Sequence, residues 1–236
     1  MDMRYRVLTT LLCLIAMPAA PVTPADRWAS VQARMDKAAS QFKSMTARVT
    51  SLVHTDVLNE DDPETGTVVM KKVGPSEVRG LIDFQKPDKR TVVFENRRLR
   101  IYQPRINTVQ EFDLGKHGEQ LDQFFMIGFG TSGTALAKDY DVTDQGTDTV
   151  KGFEGIQTIR LRLIPKGAEA KQYVKQLELW IPESGDPYPL QEKISAPNGD
   201  YRRITYTELK TNQPLPPDAL QLKTQPGVIT ETPGKK

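Results

Sequence analysis

The sequence predicts a mainly β protein with an α lid: an open half-barrel of antiparallel strands covered by helices. Three observations predict it. A single amphipathic helix stands ahead of everything else; the chain after it alternates apolar and polar residues with a period of two; and tight turns rather than long crossovers join those segments. Parallel strands need a connection of a dozen or more residues, so consecutive strands on short turns form an antiparallel sheet. With one helix before the sheet and a helical piece in its middle, the sheet is expected to curl, with its helices on the concave side.

The first 25 residues read as a secretory leader. Arg4 and Arg6 form a positive start, Val7 to Met17 a short apolar core, and Thr23-Pro24-Ala25 a small-residue cleavage site after Ala25. An apolar run this short falls below the roughly 20 residues a membrane-spanning helix needs. The expected organisation is therefore a signal peptide over 1–25 and one domain over 26–236 with a proline-rich tail, located in the periplasm. The only cysteine, Cys13, lies inside the leader behind Leu11 and Leu12, where a lipidation signal requires a small residue. The processed chain then has no thiol for a disulfide, a metal or a nucleophile.

The whole chain carries a formal net charge of +2, and removing Arg4, Arg6 and Asp2 with the leader leaves +1. Such a balance gives no field that would steer the protein to nucleic acid or an anionic surface. No nucleic-acid partner is expected, and the chain is expected to be a monomer.

Trp28, Val31, Met35, Ala38, Phe42 and Met45 fall at a spacing of three and four, one stripe along a helix, with Asp26 before it as the expected cap. After Met45 the period becomes two, with Ala47, Val49, Ser51 and Val53 on one face and Thr46, Arg48, Thr50 and Leu52 on the other. Asn59 to Glu64 reads as a polar break. Strands are then expected over 66–73, 77–84, 91–95 and 99–103, turned by Gly74-Pro75, by Lys86-Pro87-Asp88 and by Asn96-Arg97.

Between Gly115 and Leu136 alternation stops. Leu121, Phe124, Phe125 and Met126 crowd together on an expected short helix starting near His117, and Gly128, Gly130 and Gly133 read as a flexible hinge, so the segment is expected to act as a lid. Strands resume over 140–143, 150–152, 157–164, 177–181, 190–195 and 201–209. The tail, with Pro214, Pro216, Pro217, Pro226 and Pro233, is expected to be extended and to end loosely.

Familiar chemistry does not emerge from these residues. Gly128-Phe129-Gly130-Thr131-Ser132-Gly133 has the glycines of a dinucleotide site but lacks the strand before it that such a site needs. His54 and His117 are the only histidines and lack zinc spacing. Glu60-Asp61-Asp62 lacks the spaced ligands and central glycine of a calcium loop. Ser132 is not in a nucleophile elbow. No catalytic residue, metal ligand or cofactor is expected, and the chain does not read as an enzyme.

The stretch from Gly66 to Leu114, GTVVMKKVGPSEVRGLIDFQKPDKRTVVFENRRLRIYQPRINTVQEFDL, runs as a strand ending in basic residues and a proline, a strand, a QxPD-like turn, a strand, an Asn-Arg turn, and a strand ending in tyrosine and proline. In this it resembles the outer-membrane lipoprotein carrier family, the LolA-like periplasmic chaperones. The ending LPPDALQLKTQPGVIT is similar to that family's closing strand. The resemblance implies a half-barrel whose apolar hollow takes the acyl chains of lipoproteins or other lipids. It also implies a release complex at the inner membrane and an acceptor at the outer one.

On that reading the expected lipid-binding cavity consists of Val68, Met70, Val78, Ile82, Phe84, Val92, Phe94, Leu99 and Ile101, and the lid of Leu121, Phe124, Phe125 and Met126 with Lys72. The family's inward arginine, which helps to hold the lid closed, falls at Lys72, and lysine lacks the planar fork that fixes several carbonyls at once. Few tryptophans and many charges, as at Arg97, Arg98 and Arg100, also depart from the family pattern. The physics of a carrier is independent of the name: an acyl chain loses about 0.8 kcal/mol per CH₂ on entering water, so crossing an aqueous compartment needs a greasy shelter. The alternative is an exported interaction or sensor module, of the kind that regulates a sigma factor, in which the same face is a filled core without cargo.

Overall fold

A computed structural model describes residues 23–74, 77–115 and 126–233. Helix α1 spans Pro24–Gln41 and is followed by β1 (Ser44–Thr55), β2 (Glu60–Lys72), β3 (Val78–Lys86), β4 (Arg90–Glu95), β5 (Arg98–Gln103) and β6 (Thr108–Asp113). Helix α2 (Gly133–Asp139) leads into β7 (Tyr140–Thr149) and β8 (Gln157–Pro165). Helix α3 (Ala170–Tyr173) precedes β9 (Gln176–Pro182), β10 (Gln191–Ser195), β11 (Tyr201–Thr211) and β12 (Ile229–Glu231). All twelve strands form one sheet in the order β12-β6-β5-β4-β3-β2-β1-β11-β10-β9-β8-β7, open at both edges.

Side chains show that the sheet is curved. Ile82 on β3 and Ile194 on β10 line one small cavity although four strand steps separate them. On a flat sheet those steps would span about 19 Å, beyond the reach of two side chains. The chain is thus a mainly β half-barrel with helices on its concave face.

The cap of α1 is Thr23, not the expected Asp26. Asp26 is its capping-box partner, accepting from the Thr23 backbone N–H at 3.1 Å while its own N–H donates to Thr23 Oγ1 at 3.2 Å. The helix stops at Gln41, so Phe42 and Met45 leave the expected stripe for the connector and β1. Both are still buried, because the first strand residues face the same core as the helix. Val31 and Met35 bury fully against Leu161, Leu163, Leu177, Leu179 and Ile181 of β8 and β9. Each such side chain contributes roughly 1.5–3 kcal/mol by burial. Arg27 reaches Asp144 of β7 at 2.7 Å, and Arg34 donates to the Pro182 carbonyl at 2.9 Å.

The polar stretch Glu60–Glu64 is strand rather than break, pairing with β1 from Thr55↔Glu60 to Ser51↔Glu64. β3 begins to pair only at Thr65, so this part of β2 is bonded on one side, where Pro63 and exposed acids are tolerated. Asn96 and Arg97, at φ 52° and 59°, make the expected two-residue hairpin turn. Val150–Gly152 is not a strand, since β7 ends at Thr149 after a bulge between Asp144 and Thr147. β6, α2 and α3 were not anticipated. α2 is capped by Ser132 Oγ, which accepts from Ala135 N–H at 3.1 Å.

The tail is held against the sheet along residues 213–231. Ser44 Oγ donates to the Gln213 carbonyl at 3.2 Å, Tyr102 Oη accepts from the Gln225 N–H at 3.1 Å, and Asn107 Nδ2 donates to the Pro226 carbonyl at 3.1 Å. Ser44 and Tyr102 alternate with inward Met45 and Ile101, so the tail crosses the convex face. It includes β12, the one parallel pairing among the described residues, Ile229↔Thr108 to Glu231↔Gln110.

Candidate functional site

Strand register decides which side chains share a face, because directly paired residues project the same way. Met45, Met70, Gly80, Phe94 and Leu99 are successive partners across β1 to β5, and Ala47, Val68, Ile82, Val92 and Ile101 form the next row. Val78 and Phe84 keep the same phase on β3. All nine expected cavity residues therefore lie on the concave face. Val68, Met70, Val78, Phe84 and Phe94 are buried, and Ile82, Val92, Leu99 and Ile101 are half-buried.

Much of the hollow over β1–β3 and β10–β11 is filled by aromatic side chains. Phe129 stacks on Tyr188 at 6.0 Å and meets Tyr206 edge-on at 4.9 Å, and Phe42 packs against Tyr188 at 6.2 Å. Beside them lies a cavity of about 90 Å³, walled by Met45, Val49, Val68, Met70, Ile82, Phe84, Phe129, Ile194 and Ile204 with Ser51, Glu192, Arg202 and Tyr206 among them. An apolar cavity of about 150 Å³ accepts a benzene. A whole acyl chain does not fit this smaller chamber. Four of the nine expected residues, Val68, Met70, Ile82 and Phe84, line it, while Val78 and Phe94 pack in the surrounding core.

The polar groups of this chamber sit on adjoining strands, since Glu192 of β10 pairs with Ile204, and Ile204 with Ser51. Tyr206 Oη donates to Glu192 Oε2 at 3.2 Å. Glu192 Oε1 and Ser51 Oγ are buried without a hydrogen-bond partner among the described residues. Burial pushes the Glu192 carboxyl up to about 8, against the smaller opposite effect of the Tyr206 hydrogen bond. Burial first, and the adjacent Glu192 second, raise the Tyr206 phenol well above its ordinary range. At the rim Glu64 binds Arg90 at 2.5 Å and lies 3.6 Å from Arg202, and the Arg90 guanidinium stands 4.0 Å over the Phe84 ring.

A larger space opens on the other side of the turn over residues 126–132. This cleft has a volume of about 1000 Å³ and lies between α1, α2, α3 and the ends of β7 and β8. Its apolar wall includes Ala39, Leu114, Met126, Ile127, Leu136 and Val174, and Lys72, Lys138 and Lys166 stand on its lining. Lys166 is engaged, donating to the Ala137 carbonyl at 2.7 Å. Met126 and Lys72 are the two expected lid residues found here. Leu121, Phe124 and Phe125 lie outside the described residues, as does the expected helix start at His117.

The glycines after Met126 are not a loosened hinge. Gly128, at φ +82°, is packed so closely that a methyl group there would lie 2.7 Å from Pro189 Cγ and 3.0 Å from Glu192 Oε1. A methyl on Gly133 would lie 2.7 Å from Gln32 Cα, so this glycine lets α2 approach the α1 backbone. Gly130 is buried between Met126 and Phe42 in the same manner. Sequence reasoning passed over Glu192, Tyr206 and Tyr188. One signal was present: Glu192 shares the inward phase of β10 with the apolar Ile194.

No protein-family model matches the sequence, and no curated protein matches it. Among solved structures, the chain is similar to an uncharacterized conserved protein from Thermus thermophilus, with 13% identity, 86% of this chain and 98% of that one covered, and a TM-score of 0.50. A LolA superfamily protein from Nitrosomonas europaea matches with 11% identity over 82% of this chain and 97% of that one, TM-score 0.39. The Mycobacterium tuberculosis lipoprotein LppX matches with 13% identity over 82% and 99%, TM-score 0.46.

Proposed function

We propose that this protein is an exported, non-enzymatic carrier that shelters the acyl chains of lipoproteins or lipids and moves them toward the outer membrane. The observation that carries the reading is the cleft beside the half-barrel: about 1000 Å³, walled by apolar residues of three helices and of the 126–132 turn, with lysines on its lining. Specific ligand pockets occupy about 300–1,000 Å³. Ten methylenes buried there at about 0.8 kcal/mol each amount to about 8 kcal/mol, a dissociation constant on the order of micromolar before ordering costs. Contacts of this kind hold firmly and release to a greasier acceptor. Lys72 and Lys138 share the lining with Asp36, Asp139 and Glu169, a mixed set suited to a polar headgroup.

One observation favours the rival interaction module: Phe42, Phe129, Tyr188 and Tyr206 already fill most of the hollow beneath the middle strands. Native mass spectrometry of protein purified from the cells that export it, with titration by a fluorescent acylated peptide, separates the two. A carrier shows bound lipid or saturable uptake, and Ala135→Asp, at a half-buried position of the cleft, abolishes uptake with the thermal transition intact. Bare polypeptide together with no uptake would establish the cargo-free module.

A further inference from the structure

The chamber under β1, β2, β10 and β11 has a chemical character of its own. Its walls are aliphatic and aromatic, yet Ser51 Oγ and Glu192 Oε1 are both buried there without a partner among the described residues. Ser51 is 2% exposed and Glu192 7% exposed. Leaving two such groups unpaired costs about 1–3 kcal/mol each, an expense that an ordinary core avoids with apolar residues. Gly128 is fitted against Glu192 Oε1, so the carboxyl's position is shared with the turn that separates chamber from cleft.

We propose that this chamber is a recognition point for an uncharged oxygen-bearing group on an apolar chain, an ester or amide carbonyl, bound by Glu192 and Ser51 as hydrogen-bond donors. The proposal rests on the acyl-binding reading and specifies what the site recognises beyond hydrocarbon. Glu192 Oε2 accepts from Tyr206, which leaves Oε1, without a partner among the described residues, to carry the carboxyl proton. The carboxyl remains neutral at pH 7 because burial raises it to about 8. A carboxylate ligand is disfavoured because the one cation on the described lining, Arg202, is drawn toward Glu64 at 3.6 Å. Phe129 lines the chamber while its neighbours Met126 and Gly130 line the cleft, so the two spaces lie on either side of this one turn.

The test uses the full exported chain and displacement of a fluorescent acylated peptide by methyl octanoate, nonane, octanoate and octylamine. Methyl octanoate is expected to bind about tenfold more tightly than nonane, the difference one buried hydrogen bond makes. Glu192→Leu removes that preference and leaves nonane binding at least as strong, while Glu192→Gln, whose amide still donates, keeps it. Equal affinity for ester and nonane in the unaltered protein overturns the anchor and leaves the carrier reading standing. Tightest binding of octylamine or octanoate overturns it in favour of a charged ligand. If neither the peptide nor any of these probes binds, the carrier reading fails and the anchor falls with it.

Discussion

The two halves of this sheet are packed by different rules. Under α1, strands β8 and β9 present Ile159, Leu161, Leu163, Leu177, Leu179 and Ile181, none more than 4% exposed, with Val31 and Met35 pressed onto them. Across β1, β2, β10 and β11 the same face carries methionines, aromatics, a serine and a carboxyl around a residual chamber. Aliphatic side chains interlock to native density in the first half, whereas the second retains a cavity of about 90 Å³. The first half therefore holds the fold, and the second gives up some stability by leaving space unfilled. Three experiments press on that contrast.

The largest effect is expected in the close-packed half. Leu179→Ala, fully enclosed between β8, β10 and α1, should cost about 4 kcal/mol, because the methylenes lost leave a cavity that the sheet cannot close. Met70→Ala, beside existing space and next to flexible neighbours, should cost about 2 kcal/mol. Urea unfolding of both variants reads the difference. A larger loss at Met70 would reverse the assignment of the two halves.

The next effect has the opposite sign. Glu192 is protonated in the fold up to about 8, while the unfolded chain ionises it near 4.5. Between those values the native state binds more protons, so wild-type stability falls as pH rises from about 4.5 to about 8 and is level above that. The buried Tyr206 titrates well above this window, and Asp148, held low by the Trp180 N–H bond, titrates below it. Glu192→Gln should then raise stability by about 3 kcal/mol at pH 7 and flatten the profile across that window. Melting temperatures measured from about pH 4 to about pH 9 decide it, and a profile unchanged by the substitution would show that Glu192 is ionised in the fold.

Strands were legible in the sequence of both halves. Ile159, Leu161 and Leu163 alternate cleanly with Arg160 and Arg162, and period-two alternation reports a strand with one buried face. The strands β2 to β5 were legible by the same alternation, but not which of their faces is concave. What escaped depends on contacts distant in sequence. Glu60–Glu64 becomes strand because β1 is long enough to pair with it, and Gly133 is fixed by the backbone of Gln32, far earlier in the chain. The chamber depends on a turn, residues 126–132, meeting strands from both ends of the chain, and no local pattern encodes that meeting.

The smallest effect sets one buried hydroxyl against another. Thr158, fully buried in the close-packed half, donates from Oγ1 to the Asp148 carbonyl at 2.8 Å, and Ser51 in the chamber wall donates to nothing among the described residues. Thr158→Val keeps the shape and loses a satisfied bond, so it should cost about 1 kcal/mol. Ser51→Ala removes a group whose desolvation nothing in the fold offsets, so it should gain about 1 kcal/mol in the ligand-free protein. Opposite signs in paired urea titrations are what a binding chamber requires, since a hydroxyl kept at a cost to the free protein contributes only when a ligand accepts its proton. A loss at Ser51 equal to that at Thr158 would instead make the serine part of the structural core, and the difference between the two halves would reduce to packing alone.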